Sequence, residues 1–75
     1  MEKLLEILRS IRGDVDFENN KALIDDGILD SFDVVGIIGE LSDQYDIEIT
    51  IDDMTPENFN SAEAIYALVE RLLDE

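Results

Sequence analysis

Cysteine and histidine are both missing from the 75 residues, and proline occurs once. Without cysteine no disulfide can staple the fold, and without histidine the usual zinc ligands and the commonest general base are gone. Both absences weigh against an enzyme. Positive charge is scarce as well: 5 Lys and Arg stand against 20 Asp and Glu, for a formal charge of −15. Such a chain repels nucleic acid and anionic membranes and is drawn to basic protein surfaces. No apolar run approaches the roughly 20 residues that cross a bilayer, so membrane insertion is not expected. Met1-Glu2-Lys3 is unlike a secretory signal, and cytoplasmic residence is the expectation.

What is present is enough to fold. Hydrophobic residues make up 45 % of the chain, which is ordinary for a globular domain and argues against disorder. The length allows one domain, residues 1–75, with a modest core. Like charges crowded on a small surface oppose compaction, so stability should rise with salt or divalent cations. The same repulsion favours a monomer in dilute solution.

Leu4, Ile7, Leu8 and Ile11 recur at helical spacing, with Leu5 widening the stripe and Gly13 supplying a stop, so a first helix is predicted over residues 2–12. Residues 13–30 keep no sustained period, yet Val15, Phe17, Leu23, Ile24, Ile28 and Leu29 are apolar and need somewhere to dock. This reads as a long first loop pinned to a core, and loops of that length tend to be functional. From Ser31 to about Tyr45, Val34, Ile37, Ile38, Leu41 and Tyr45 mark one buried face of a second helix. Ile47, Ile49 and Ile51 alternate with Glu48 and Thr50 in an extended connector. Thr55-Pro56-Glu57 has the chemistry of a helix start, which places a short third helix between Asp52 and Phe59. Asn60 and Glu63 stand in capping-box spacing ahead of Ala62, Ile65, Leu68, Val69, Leu72 and Leu73, the apolar side of a fourth helix. The expected fold is all-α, a four-helix bundle with a short third helix.

The second helix start concentrates the chemistry. Asp30 is placed to cap it and Asp33 to favour its dipole, so Ser31 falls in a first turn whose backbone N–H groups lack intrahelical partners. A phosphate attached there would be well received. Capping alone also accounts for these residue types. Opposite the buried face lie Phe32, Gly36, Gly39 and Asp43, where a solvated helix normally carries Lys, Glu or Arg. Two glycines there cost about 1 kcal/mol each relative to alanine. Such a face suits a low-relief landing surface for another protein, with Val35 at its margin and Asp30, Asp33, Glu40 and Asp43 supplying charge. The opposing reading folds Phe32 back onto the loop and gives the glycines to close packing of a neighbour.

Asp30-Ser31, with Gly27 upstream and Tyr45-Asp46-Ile47-Glu48-Ile49 as an aromatic-Asp-x-x-Ile ending to the second helix, resembles the acyl carrier and peptidyl carrier proteins. The resemblance covers essentially the whole chain. It implies a four-helix bundle with no chemistry of its own, in which Ser31 carries a 4′-phosphopantetheine arm moved from coenzyme A by a phosphopantetheinyl transferase. Acyl or aminoacyl groups would ride as thioesters on the arm's thiol, loaded by a ligase and passed to enzymes with basic surfaces. Fatty-acid carriers commonly continue Asp-Ser-Leu with acidic or bulky residues, whereas this chain has Phe32, Gly36, Gly39 and Ser42. Leu29-Asp30-Ser31-Phe32 and Phe59-Asn60-Ser61 look more like the stand-alone D-alanyl carriers and discrete peptidyl carriers.

Three rival readings compete. Asp14-Val15-Asp16-Phe17-Glu18 places oxygens at alternate positions as a calcium loop does, but Asn19 stands where glycine is wanted and Asp25 where a bidentate glutamate belongs. No specific metal site is therefore expected. An acidic module that fills a basic groove without modification is the second. A hydrolase built on paired carboxylates is the third, and a chain of this size scarcely forms its cleft.

Overall fold

A computed structural model describes residues 2–74. Four α-helices appear in it: α1 (Glu2–Ile11), α2 (Ser31–Tyr45), α3 (Pro56–Phe59) and α4 (Ala62–Leu73), with a single 3-10 turn, Ile51–Asp53, ahead of α3. The all-α bundle expected from periodicity is what forms. Leu4 and Leu8 from α1, Ile37 and Leu41 from α2, and Ile65, Leu68 and Val69 from α4 lose essentially all contact with water. Phe59 of α3 closes one end of this core.

The first loop is part of the core rather than a flap over it. Phe17, Leu23 and Leu29 are buried, while Val15, Ile24 and Ile28 pack partly buried against the same cluster, so all six apolar loop residues dock. Backbone bonds tighten the segment before α2: the Ile28 and Leu29 N–H groups both donate to the Leu23 carbonyl, at 3.0 and 2.9 Å. Gly27, just before Ile28 in the loop that these bonds close, sits at φ 72°, a left-handed conformation that side chains resist. The glycine lets the chain turn sharply into α2.

Two local details depart from the sequence reading. The fourth helix is capped by Ser61, whose hydroxyl accepts from the Ala64 N–H at 3.0 Å, and not by Asn60 with Glu63. Asn60 is engaged elsewhere, as described below. Burial along α4 also fades toward its end: Ile65, Leu68 and Val69 are buried, Leu72 is half-buried, and Leu73 is 53 % exposed instead of joining the core stripe. Pro56 explains why the third helical region is broken in two. It has no N–H to continue a preceding turn but fits the first position of a new helix.

Cations are few, and four of the five join separate parts of the chain. Arg9 of α1 pairs with Glu18 of the loop at 2.7 Å, and Lys21 of the loop pairs with Glu63 of α4. Lys3 lies 4.8 Å from the centre of the Tyr45 ring and donates to the Gln44 carbonyl at 3.3 Å, at the negative end of α2. Burial pushes the Tyr45 phenol above its usual pKa, with Tyr66 adding to the effect. Arg12 makes the fourth link.

Candidate functional site at the start of the second helix

The first turn of α2 is held from two directions. Asp30 is extended (φ −99°, ψ −179°) and its Oδ1 accepts from the Asp33 N–H at 2.9 Å, while Asp33 Oδ2 accepts from the Asp30 N–H at 3.4 Å. This reciprocal cap satisfies amides that the helix itself leaves unpaired. From outside the helix, Arg12 Nη1 donates to the same Asp33 Oδ2 at 2.6 Å and reaches the Ile28 carbonyl at 3.4 Å. Its Nε and Nη2 donate to the two oxygens of Asp14, each at 3.1 Å. Asp14 and then Asp33 hold the guanidinium proton more tightly than usual, and Arg12 in turn draws the Asp14 carboxyl below the ordinary aspartate range.

Ser31, the first residue of α2, is exposed and stands between these two aspartates. It borders a cleft of about 320 Å³ whose walls come from three places: Ile24 and Leu29 of the loop, Val34 of α2, and Met54, Pro56 and Phe59 around α3. A hydroxyl at the rim of an open, mainly apolar cleft, at the positive end of a 15-residue helix, suits attachment of a flexible phosphodiester-linked arm. The two flanking carboxylates would oppose a charge added there, and Arg12 is paired with one of them, Asp33.

The predicted landing face lies open. Phe32 is 86 % exposed and Val35 59 %, so Phe32 does not fold back onto the loop. Gly36, Gly39, Glu40 and Asp43 are exposed as well. A methyl built on Gly39 would meet no atom within 4 Å, and one on Gly36 would make only ordinary contact with Ile11, at 3.9 Å. Close packing therefore does not account for either glycine. Asp30 is exposed, whereas Asp33 is turned inward with its side chain only 14 % accessible, engaged by the cap and by Arg12.

The acids of the calcium-like stretch separate. Asp14 faces Arg12, Glu18 faces Arg9, and Asp16 accepts from the backbone and side chain of Asn19 at 3.3 and 3.0 Å, which lowers its pKa. Among the described residues no group of three or more His, Cys, Asp or Glu is spaced to hold a metal ion.

Residues 2–69 match the family model described as the phosphopantetheine attachment site. The chain belongs to the phosphopantetheine-attachment family. It is thus a carrier protein whose prosthetic group is 4′-phosphopantetheine. A D-alanyl carrier protein of Lactococcus lactis subsp. cremoris (strain MG1363) is 33 % identical over 76 aligned residues, covering 99 % of this carrier and 96 % of the relative. One from Bacillus cereus (strain B4264) is 32 % identical over 73 residues, covering 95 % of the carrier and 92 % of its own length. One from Staphylococcus saprophyticus subsp. saprophyticus is 36 % identical over 50 residues, 67 % of the carrier and 64 % of the relative. The likeness extends to relatives from three genera, all of them named D-alanyl carrier proteins. Among the carrier's described residues, no helix is long and apolar enough to cross a membrane.

Ser31, its capping aspartates and the outward face are legible in the sequence, whereas the contacts of Arg12 and the cleft are not. Arg12 carried only a faint signal, as the last residue before Gly13 in a chain with five cations. The cleft joins two segments, residues 24–34 and 54–59, that are remote in sequence, and it leaves no local signal.

Proposed function

We propose that this chain, as a single carrier domain over residues 1–75, bears 4′-phosphopantetheine on Ser31 and carries an aminoacyl group, D-alanine, for partner enzymes without catalysing a reaction itself. The observation that supports it most is the exposed Ser31 hydroxyl at the amino end of α2 and the rim of the apolar cleft. The relatives named D-alanyl carrier proteins, aligned over nearly the full length of both chains, support the cargo. The bare glycine face of α2 supports it too, being unlike the fatty-acid pattern.

In the loading step, Ser31 Oγ attacks the phosphorus of coenzyme A that bears the pantetheine. The pyrophosphate P–O bond breaks, adenosine bisphosphate leaves, and the hydroxyl proton passes to a base of the transferase. When bound, the arm supplies a thiol on which a carboxylic acid is held as a thioester. The chain's own part is to hold Ser31 at a capped helix start and to offer Phe32, Val35, Gly36 and Gly39 as the adjoining surface, with Asp30, Glu40 and Asp43 as charges. The partners on this reading are a phosphopantetheinyl transferase, a D-alanine-activating ligase and downstream enzymes with basic surfaces. The setting is the cytoplasm.

Incubation with coenzyme A, magnesium and a broad-specificity phosphopantetheinyl transferase, read by intact mass, tests the site. Wild type should gain the phosphopantetheinyl mass and Ser31→Ala should not. Equal gain by both, or none by wild type, removes Ser31 from the reading. Loading the arm-bearing form with D-alanine, L-alanine and short fatty acids by candidate ligases with ATP then tests the cargo, with D-alanine expected to dominate.

A further inference from the structure

Arg12 is the only residue of α1 or its immediate end that reaches the first turn of α2 by a side-chain hydrogen bond among the described residues. It does so in a particular way. One guanidinium joins three points of the chain: Asp14 where the long loop begins, the Ile28 carbonyl where it ends, and Asp33 in the turn that starts at Ser31. Asp33 Oδ2 is also the acceptor for the Asp30 N–H, so the atom that completes the helix cap is the atom Arg12 grips at 2.6 Å. The orientation of the cap is therefore tied to α1, not only to α2 itself.

The charge balance at this point is equally specific. Ser31 is flanked by Asp30 and Asp33, which repel any phosphate approaching the positive end of the helix. Arg9, Lys3 and Lys21 are engaged with Glu18, the far end of α2 and Glu63 respectively. Arg12 is the cation that offsets a carboxylate in the Ser31 turn.

We infer that Arg12 is a positioning residue for phosphopantetheine transfer: through Asp33 it fixes the turn that presents the Ser31 hydroxyl and shields the incoming phosphate from one carboxylate. The inference rests on Ser31 being the acceptor. It concerns the acceptor's geometry and field rather than any contact between Arg12 and the transferase. Lysine is not an equivalent, because a single ammonium cannot span the separate oxygens of Asp14, Asp33 and Ile28 that the planar fork reaches.

The test compares wild type, Arg12→Gln, Arg12→Lys and Ser31→Ala as acceptors for a phosphopantetheinyl transferase with coenzyme A, at a temperature where circular dichroism shows each folded. Peptide mass mapping of the product first places the arm. Loading of Ser31→Ala would sink the acceptor reading; that result is separate from the Arg12 comparison. With Ser31 as acceptor, kcat/KM should fall about tenfold for Arg12→Gln, mainly in kcat, since a nucleophile held less well reacts less often in the right geometry. Arg12→Lys should lie between, about threefold down. Hydrogen exchange of the Asp30 amide, which donates to the Asp33 oxygen that Arg12 holds, should quicken in Arg12→Gln before any arm is attached, a readout independent of the transferase.

A merely structural role would lower the melting temperature yet leave kcat/KM within about twofold of wild type in folded Arg12→Gln, and that outcome overturns the inference. Unchanged exchange at Asp30 overturns it as well. If Arg12→Gln does not fold, the same kinetic and exchange criteria are applied to Arg12→Lys, and loading within twofold of wild type counts against it.

Discussion

Asn60, at the junction of α3 and α4, holds Asp25 of the first loop from 35 positions away in sequence. Its Nδ2 donates to Asp25 Oδ2 at 3.1 Å, while its Oδ1 accepts from the Ile24 and Asp25 N–H groups at 3.0 and 3.1 Å. The Asn60 carbonyl takes a further bond, from the Leu23 N–H at 2.8 Å. One residue thus anchors the loop wall of the cleft beside Ser31. Asn60→Ala should cost about 2 kcal/mol, because two loop N–H groups lose their acceptor while the backbone bond remains. Urea unfolding should register that loss, and exchange of the Ile24 and Asp25 amides should quicken more than exchange in α1. An unchanged unfolding midpoint would show that water replaces the amide at no cost.

Gly39→Ala tests whether the bare face of α2 is a matter of folding or of docking. An added methyl meets nothing within 4 Å, so thermal unfolding should show a gain of up to about 1 kcal/mol from helix propensity alone. On the proposed reading the same variant should be a poorer substrate for the transferase or ligase, as KM rather than kcat. A gain in stability with loading untouched would remove Gly39 from the partner surface.

Asp46 ends α2 at φ 53°, with its N–H donating to the Ser42 carbonyl. The left-handed conformation disfavours a side chain, and a carboxylate at the negative end of a helix is also poorly placed. Asp46→Gly should therefore stabilise by about 1 kcal/mol, read from the denaturation midpoint. A loss instead would mean that Asp46 makes a compensating interaction in solution.

Acid should remove a definable part of the stability. The Asn19 bonds draw Asp16 below the ordinary aspartate pKa, as Arg12 does Asp14, so both carboxylates bind protons more readily when the chain is unfolded. Their contribution is complete above the unfolded-state pKa, and is lost as pH falls through the lower folded-state values, between about pH 5 and pH 2. Asp16→Asn should melt with a shallower pH dependence in that window than wild type. Parallel curves would show that Asp16 is not perturbed in the folded protein.

Salt should act in the opposite sense to its usual effect on ion pairs. With a formal charge of −15, screening repulsion across the surface outweighs weakening a few exposed pairs, each worth little. The melting temperature should rise from low to high ionic strength. A flat or falling profile would show that the pairs around Arg12 and Lys21 dominate.

Helix positions were legible because the apolar residues of α1, α2 and α4 keep a period that only a helix can bury, and the start of α2 because Asp30 and Asp33 announce a cap. The docking of the long loop was also legible, since six apolar side chains in it had no other place to go. The cap of α4 was misread for a physical reason. Asn60 and Ser61 both have capping chemistry, and the choice between them is made by a loop segment that needs the Asn60 amide. Local sequence cannot rank two adjacent candidates when a distant backbone decides. The same holds for Arg12, whose three acceptors belong to different stretches of a chain with twenty possible carboxylates.

The four engaged cations have one more consequence. Paired within the fold, Lys3, Arg9, Arg12 and Lys21 are tied to α1, the loop and their neighbours, and none lies on the outward face of α2. On the proposed reading, a basic enzyme approaching that side meets carboxylates, Asp30, Glu40 and Asp43, and none of these four cations. Charge alone offers such an enzyme little to choose one docking angle over another, so on that reading orientation falls to shape, and Phe32, 86 % exposed beside Ser31, is the apolar landmark available for it.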